Sequence, residues 1–267
     1  MRLKMANNLN LQDTIIKNIN SNNDEICSIE FEDKRYWIKK ARETKSSLTH
    51  MFYYSIFSFD ILLPVKNKTA QESIEHETSK LRRFKSLDLS VPEIIFQDEN
   101  NFVLEDCGKT VNSYIRKRDI TKEKMYYFIY KVIDELSKIH NLNEYHGGAQ
   151  CRNFTYRDGA VSIIDLEDSF DESIDIKTLQ FRDFVLFLLS LTKTRASFEL
   201  DYKIIINQYI SLTKNNDFMD RLKQLANKLS FLIKLSEIKF INTILGSDIK
   251  SLFRLFKIFQ TLDILDE

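Results

Sequence analysis

The stretch YHGGAQCRNFTYRDGAVSIIDLEDS, residues 145–169, constrains the fold of this chain more than any other part of the sequence. A loop runs from His146 to Asn153, and two short apolar segments separated by an Asp-Gly dipeptide follow it. Asp-Gly is typical of tight hairpin turns, so the two segments are predicted to be paired strands. The second strand ends at Asp165, whose carboxylate is expected to point out of the strand end towards a metal ion.

Composition indicates a soluble globular protein. The 267 residues suit one large domain or two lobes that share a cleft; 43% of them are hydrophobic and 29% are charged. Basic and acidic residues number 39 each, so no nucleic-acid partner is expected. Three widely spaced cysteines, an N-terminus without a signal-peptide pattern and the absence of an apolar run of about 18 residues predict a cytoplasmic protein.

The order of the predicted elements divides the chain into two parts. The patterns predict a strand pair within 26–40, a charged helix over 70–84, a hairpin within 91–106, a helix from Thr121 to His140, the hairpin described above, and helices beyond 175. The sequence therefore predicts a strand-rich N-terminal part, a connector near 105–110 and a helical C-terminal part, with a crevice between them.

Four polar side chains occur in the order that ATP-dependent phosphoryl transfer requires. This chemistry needs cations that hold the phosphates, oxygen ligands for magnesium and a group that orients the attacking hydroxyl. Lys39 lies on a predicted strand, and Glu77 lies on the following helix, where it can form an ion pair with that lysine. Asn153 closes the loop and Asp165 follows the strand, so both are candidate magnesium ligands.

These motifs resemble the protein-kinase-like superfamily and, within it, the bacterial lipopolysaccharide core kinases that phosphorylate Kdo or heptose sugars. The resemblance covers roughly residues 24–190 and includes YWIKKA, HETSKLRRFKSLDLSVPEII, FVLEDCG and HGGAQCRNF…IIDLED in that family's order. It implies an α+β, two-lobed protein-kinase-like fold, with a small sheet-plus-helix lobe over 1–106 and a larger helical lobe over 107–267. It also implies a kinase that uses ATP and Mg.

The resemblance assigns roles to the residues that match the family motifs. Lys39 would contact the α- and β-phosphates and Glu77 would position it, while Asn153 and Asp165 would bind magnesium.

Three further roles follow from the same resemblance. Backbone groups of the connector at Glu105 and Cys107 would receive the adenine. His146 would brace the catalytic loop, and Asp183, in FRDFVLF, would hold the loop backbone from a helix below.

Two departures from the family pattern concern the nucleotide and the reacting hydroxyl. No glycine precedes Lys39, so the Gly-rich phosphate loop is missing, and Asn22 and Asn23 are expected to supply the positive φ of a tight turn there. Gly148 occupies the position, five residues before Asn153, where the catalytic aspartate is expected.

Gly148 leaves three interpretations open. In the first, the protein is a pseudokinase that binds nucleotide weakly or not at all and scaffolds or regulates an envelope pathway. In the second, Gln150, Glu167 or Asp168 orients the acceptor. In the third, the acceptor is unusual and the glycines make room for it. We favour an active phosphotransferase, because phosphoryl transfer depends mostly on positioning and charge stabilisation. A protein Ser/Thr kinase is disfavoured, since no APE-like peptide-docking motif follows the metal-binding strand.

The resemblance implies a sugar hydroxyl of a lipopolysaccharide-type envelope glycolipid as substrate. The apolar segment 45–66 is expected to pack as a helix on the small lobe or, alternatively, to face the membrane or the substrate. The basic run SKLRRFK, residues 79–85, is expected to be a solvated helix face, or else to dock an anionic glycolipid together with that segment. The second alternative would place the protein peripherally at the inner face of the inner membrane.

Overall fold

The structure is a computed structural model that describes residues 2–45, 63–225 and 255–256. Its helices are α1 (Arg2–Ser21), α2 (Ala70–Ser86), α3 (Val111–Ile115), α4 (Lys122–Asn141), α5 (Ile176–Leu191) and α6 (Tyr202–Thr213). Its strands are β1 (Ile26–Phe31), β2 (Lys34–Lys40), β3 (Ile94–Gln97), β4 (Asn101–Glu105), β5 (Lys109–Thr110), β6 (Phe154–Arg157) and β7 (Ala160–Ile163). A short 3-10 helix covers Cys151–Asn153, and residues 217–225 are helical.

The first four strands form an antiparallel sheet in the order β1-β2-β4-β3. The hairpin between β1 and β2 turns through Glu32 and Asp33, whose φ angles of 48° and 60° match a two-residue type I′ turn. Along β2 the side chains alternate, so Tyr36 and Ile38 are buried on one face while Lys39 belongs to the other. The strand pair predicted from the sequence is confirmed.

Helix α1 covers the outer face of this sheet. Its apolar residues Leu11 and Ile15 pack with Ile38 and Val103 in a small core of their own. The sequence pattern does not predict this helix, because α1 is rich in asparagine and carries few regularly spaced apolar residues.

The segment between α1 and β1 corrects one prediction. Positive φ at Asn22 and Asn23 is wrong, since neither residue has it. The end of α1 is instead held by Lys40, whose ammonium donates hydrogen bonds to the backbone carbonyls of Ile19, at 3.3 Å, and Asn22. A cation at a helix C-terminus satisfies the carbonyls that the helix leaves unpaired.

Helix α2 packs on the opposite face of the sheet. It begins with a capping box in which the Thr69 hydroxyl accepts from the Glu72 N–H and the Glu72 carboxylate accepts from the Thr69 N–H. Ile74 and Leu81 then join Phe102 of β4 in the main hydrophobic core. The predicted charged helix is therefore present, and one of its faces is apolar and buried.

The C-terminal part is mainly helical and contains a small sheet in the order β5-β6-β7. The predicted turn at Asp158 and Gly159 joins β6 to β7, and the helix predicted from Thr121 is α4, with Thr121 as its N-cap. Helix α5 is buried along most of its length between its neighbours. The fold is α+β, as expected, with an N-terminal antiparallel sheet and a mainly helical C-terminal region.

Three other predictions meet the structure only in part. Most of the apolar segment 45–66 lies outside the described residues. The boundary at 106/107 falls in the connector between β4 and β5, and the division into lobes stays a prediction. Among the helices that the structure describes, none is long and apolar enough to cross a bilayer.

Candidate active site

Lys39 and Glu77 form a nearly buried ion pair between the sheet and α2. The Lys39 ammonium donates to both carboxylate oxygens of Glu77, at 2.6 and 2.8 Å, and the two side chains are only 13% and 5% exposed. Burial alone would lower the pKa of Lys39, but the carboxylates of Glu77 and Asp165 outweigh this and hold it above its ordinary value. Lys39 is therefore a fixed cation.

Asp165 brings a third segment of the chain to the same ammonium. Its Oδ1 lies 3.1 Å from Lys39 Nζ, and its backbone has φ 64°. A non-glycine residue in this left-handed region costs about 1–3 kcal/mol and persists only where its surroundings hold it. Burial would raise the pKa of Asp165, but the attraction of Lys39 lowers it more, so the carboxylate is ionised. A strained acidic residue with a perturbed pKa beside a buried cation is a candidate functional group.

Asn153 lies beside Asp165 across the β6–β7 hairpin. The backbone N–H of Ile164 donates to the Asn153 carbonyl at 3.0 Å, and the Asn153 side-chain amide donates to the Gly148 carbonyl at 2.8 Å. This bond orients the amide and leaves its Oδ1 as a possible ligand.

The donors of this pair fit a magnesium ion. Mg²⁺ prefers oxygen ligands and commonly takes one or two from the protein and the rest from phosphates and water, and Asn153 and Asp165 supply an amide and a carboxylate oxygen. Within the described part of the chain, no group of three or more His, Cys, Asp or Glu side chains is arranged to hold a metal ion by itself. A metal here would therefore need a phosphate-bearing ligand to complete its coordination.

Asp183 of α5 holds the loop backbone from below, which confirms the role expected for it. Its carboxylate accepts hydrogen bonds from the N–H groups of His146, at 2.6 Å, and Gly147, at 2.9 Å. Burial would raise the pKa of Asp183, but the contacts with His140 and the nearby His146 and Arg182 lower it below its ordinary value. A fully buried, ionised acceptor therefore fixes the start of the loop.

Lys80 of α2 is a second anchor of the loop, and the sequence did not identify it. Its ammonium donates to the His146 carbonyl at 2.9 Å and lies 4.0 Å from the centroid of the Tyr145 ring. Burial lowers the pKa of Lys80 to about 8. Arg182 likewise donates to the Gly147 carbonyl. The run SKLRRFK is therefore not wholly solvated, and Lys80 is not available to a docked glycolipid.

His146 itself is fully buried, so it braces the loop from inside and does not face the cleft. Its Nδ1 accepts from the Gly148 N–H at 3.2 Å, and its Nε2 has no hydrogen-bond partner among the described residues. Burial lowers the pKa of the imidazole, which is therefore neutral.

The two loop glycines have different reasons to be glycine. Gly147 has φ 101°, and a Cβ there would lie 2.9 Å from the Cβ of Asp168, so both backbone and space require glycine. Gly148 has no positive φ, and a Cβ there would meet only Asn153 Nδ2 at 3.4 Å and Asp168 Oδ2 at 3.5 Å. A Cβ at Gly148 is therefore sterically tolerable.

The two other candidates near the loop, Glu167 and Gln150, make different hydrogen bonds. The Glu167 carboxylate accepts two hydrogen bonds from the Arg42 guanidinium, both at 2.8 Å. Gln150 precedes the 3-10 helix, and its N–H donates to the Gly148 carbonyl at 2.6 Å. Neither residue contacts Lys39 or Asp165 directly through a hydrogen bond in the described structure.

Glu105 and Cys107 lie at the connector, apart from the Lys39 cluster. Lys39 is paired with Phe102 on β4, so Glu105 is three residues, or about 10 Å, further along that strand. Cys107 is half-buried, and its thiol donates to the Glu105 carbonyl at 3.8 Å. Their contact with an adenine stays a prediction.

The connector is fixed by the side chain of an acidic residue, a role that the sequence did not indicate. Asp106 accepts from the indole N–H of Trp37 at 2.7 Å and forms an ion pair with Arg157 of β6. Trp37 lies on the same face of β2 as Lys39, two residues nearer the connector, and is 37% exposed. The indole therefore lies between the connector and Lys39 along β2.

A comparison with family models finds no match to this chain. A protein of Haemophilus influenzae described as uncharacterized is 25% identical over 260 residues, which is 96% of this chain and 98% of that protein. The two chains therefore align over nearly their whole lengths.

Solved structures of aminoglycoside phosphotransferases are similar to this chain at low identity. APH(2'')-Ib bound to ADP is 11% identical with a TM-score of 0.45, covering 91% of this chain and 96% of that one. APH(2'')-IIa in complex with gentamicin is 10% identical with a TM-score of 0.45, covering 87% and 90%. APH(2'')-IIa in a ternary complex with streptomycin and ATP is 9% identical with a TM-score of 0.41, covering 82% and 91%.

Proposed function

We propose that this protein is a phosphotransferase that moves the γ-phosphate of ATP, with Mg²⁺, to an alcohol group. The observation that carries the proposal is the contact of one buried ammonium with carboxylates from two distant segments. Lys39 Nζ lies 2.6 Å from Glu77 and 3.1 Å from Asp165, beside a loop that Asp183 holds by two backbone hydrogen bonds. Ordinary structural ion pairs do not require a strained acidic residue or a loop held in this way.

The proposed roles follow from charge and position. Lys39 would attract the α- and β-phosphates, and Glu77 would keep its ammonium directed into the cleft. Asn153 and Asp165 would hold Mg²⁺, which when bound would neutralise phosphate charge that two carboxylates would otherwise repel. Because these residues are held by buried contacts before ligand arrives, little reorganisation would accompany binding.

The adenine would lie between the connector and Trp37. The indole is partly exposed on the Lys39 face of β2, and its N–H is held by Asp106, so an aromatic surface of fixed orientation borders the cleft. Glu105 and Cys107 would offer backbone groups to the purine edge, as the sequence resemblance implies.

For the acceptor we propose a sugar hydroxyl of a lipopolysaccharide-type envelope glycolipid. The support is the order of sequence motifs shared with the Kdo and heptose kinases, together with the basic residues of α2 that remain exposed, Arg82, Arg83 and Lys85. A cytoplasmic protein with peripheral contact at the inner membrane would meet such a substrate.

The experiment is a thermal shift with ATP and MgCl₂ on wild type, Lys39→Ala and a matched control, Lys34→Ala. Lys34 is an exposed lysine at the other end of β2, so its removal changes the charge equally but not the cleft. At 100 times Kd, binding stabilises the folded state by about 2.7 kcal/mol. We expect a saturable rise in Tm for wild type and Lys34→Ala and none for Lys39→Ala. Equal rises in all three would contradict the proposed site.

A pseudokinase that scaffolds or regulates an envelope pathway is the second candidate, and Gly148 favours it. A magnesium-dependent shift without any hydrolysis or transfer of the γ-phosphate would support a nucleotide-binding pseudokinase. A folded wild-type protein with no shift at all would support a scaffold that does not bind nucleotide.

A further inference from the structure

A carboxylate lies next to the position where the loop lacks its aspartate. Asp168 Oδ2 is 3.5 Å from the point that a Cβ on Gly148 would occupy, and Asn153 Nδ2 is 3.4 Å from the same point. We propose that Asp168, which follows β7, acts as the catalytic base in place of the aspartate absent at Gly148. This inference rests on the proposed phosphotransferase function and identifies the group that would receive the proton.

Both loop glycines fit this arrangement. Gly147 lets the backbone pass close to Asp168, since a Cβ there would lie 2.9 Å from Asp168 Cβ and 3.1 Å from its carbonyl oxygen. Gly148 leaves the adjoining space to the Asp168 carboxylate. An aspartate at Gly148 would instead place two carboxylates side by side, and like charges at that distance disfavour each other's ionised form.

The other two residues considered from the sequence are less suited to the role. Both carboxylate oxygens of Glu167 accept from one guanidinium nitrogen of Arg42 at 2.8 Å, so taking a proton would weaken this ion pair. Gln150 carries a neutral amide, which can orient a hydroxyl but cannot accept its proton. Asp168 is the candidate whose carboxylate makes no hydrogen bond within the described residues; its backbone carbonyl is held by His76 Nε2 at 3.3 Å.

The surroundings of Asp168 suit a base that must also stay ionised. The charged and titratable groups that face it come from its own segment, from the segments before α2 and before the loop, from α2 and from α5. They are Asp165, Glu167, Lys68, Tyr145, His76, Lys80 and Arg182. Burial raises the pKa of the Asp168 carboxyl, and the Arg182 guanidinium partly opposes the rise. A higher pKa makes the carboxylate a stronger base, and the nearby cations favour its ionised form.

The acceptor hydroxyl oxygen forms a bond to the γ-phosphorus, and the bond from that phosphorus to the β,γ-bridging oxygen breaks. ADP leaves with the bonding electron pair, the hydroxyl proton passes to Asp168, and Asp168 later releases it to solvent. One ATP and one alcohol thus give a phosphate ester, ADP and a proton.

The test is steady-state hydrolysis of Mg-ATP with water as the acceptor, alongside Mg-ATP binding measured by the fluorescence of Trp37, the one tryptophan of the chain. Wild type is compared with Asp168→Asn and with Asp171→Asn, an exposed acid three residues further on. We expect Asp168→Asn to lose about 100-fold in kcat with Kd for Mg-ATP within twofold, and Asp171→Asn to match wild type.

A relocated carboxylate makes the test independent of folding defects. Because Gly148 has no positive φ and tolerates a Cβ, the double variant Gly148→Asp/Asp168→Asn should have a kcat at least tenfold higher than that of Asp168→Asn. An unchanged kcat in Asp168→Asn, a parallel loss of Mg-ATP affinity, or binding without hydrolysis in wild type would each overturn the role of Asp168 alone. Failure of wild type to bind Mg-ATP would overturn the proposed function and this inference with it.

Discussion

Replacement of Asp183 by asparagine removes a negative charge from the centre of the loop support while keeping the side-chain shape. The carboxylate now accepts two backbone N–H groups, from His146 at 2.6 Å and Gly147 at 2.9 Å, at a fully buried position. Asparagine has a single oxygen acceptor and would direct its NH₂ group at the other N–H. One charge-assisted hydrogen bond is then lost and one buried N–H is left unsatisfied.

The expected loss of stability follows from these two changes. A hydrogen bond to a charged group contributes about 1.5–3 kcal/mol, and an unsatisfied buried donor costs about 1–3 kcal/mol, so Asp183→Asn should lose about 3–5 kcal/mol. That is a large share of the roughly 5–15 kcal/mol by which a folded protein is stable. With a urea slope of about 3 kcal/mol/M, the unfolding midpoint should fall by about 1–1.7 M.

The assay is urea unfolding at pH 7, followed by circular dichroism, with Asp119→Asn at an exposed position as the control. The pKa of Asp183 lies below its ordinary value of 3.8, so its contribution is present above that pH and is lost as pH falls through the folded-state pKa. The difference between wild type and Asp183→Asn should therefore shrink in acid. A loss below about 1 kcal/mol at pH 7 would refute the account of the loop support.

Three further predictions concern the cleft and its surroundings. Glu77→Gln halves the carboxylate charge around the buried lysine and should weaken Mg-ATP binding about tenfold, or about 1.4 kcal/mol, in an equilibrium titration; unchanged affinity would contradict its positioning role. Gly147→Ala should lower the free energy of unfolding by about 2–4 kcal/mol, because φ is 101° and the added Cβ would lie 2.9 Å from the Asp168 Cβ. Gly159→Ala, with open space around it, should cost only about 1 kcal/mol when the two variants are compared by thermal denaturation. Burial lowers the pKa of His76 to about 4 from 6.5. The neutral imidazole therefore contributes to the free energy of unfolding above pH 6.5, and this contribution is lost as pH falls towards 4; after allowance for partial exposure the loss is ~1–2 kcal/mol. His76→Gln should remove this part of the pH dependence of stability.

The sequence predicted best those features that local chemistry determines. The Asp-Gly turn between β6 and β7, the cap at Thr121 and the period-two alternation that sets Lys39 apart from Ile38 are all signals within a few residues. The pairing of Lys39 with Glu77 was also predictable, because a strand followed by a helix that packs on it brings such residues together.

Other features depend on contacts between distant segments and could not be read from local patterns. Helix α1 has a weak apolar pattern, and the sheet face that it covers exists only once β2 and β4 are paired. Lys80 lies in a basic run that is ordinarily solvated, and only the approach of the loop at His146 buries its ammonium. The place of Asp168 relative to Gly148 depends on how tightly the loop passes the end of β7, which Gly147 permits.

Equilibrium binding of Mg-ATP, with Asp165→Asn and Asp158→Asn compared to wild type, tests the central claim most directly. Both variants remove one carboxylate near the β6–β7 hairpin, but Asp165 contacts Lys39 at 3.1 Å whereas Asp158 is exposed in the turn. We predict saturable, magnesium-dependent binding for wild type and Asp158→Asn, and at least a tenfold weaker Kd for Asp165→Asn. Equal affinity of all three proteins, or no binding by a folded wild type, would contradict a nucleotide site built on Lys39, Asn153 and Asp165.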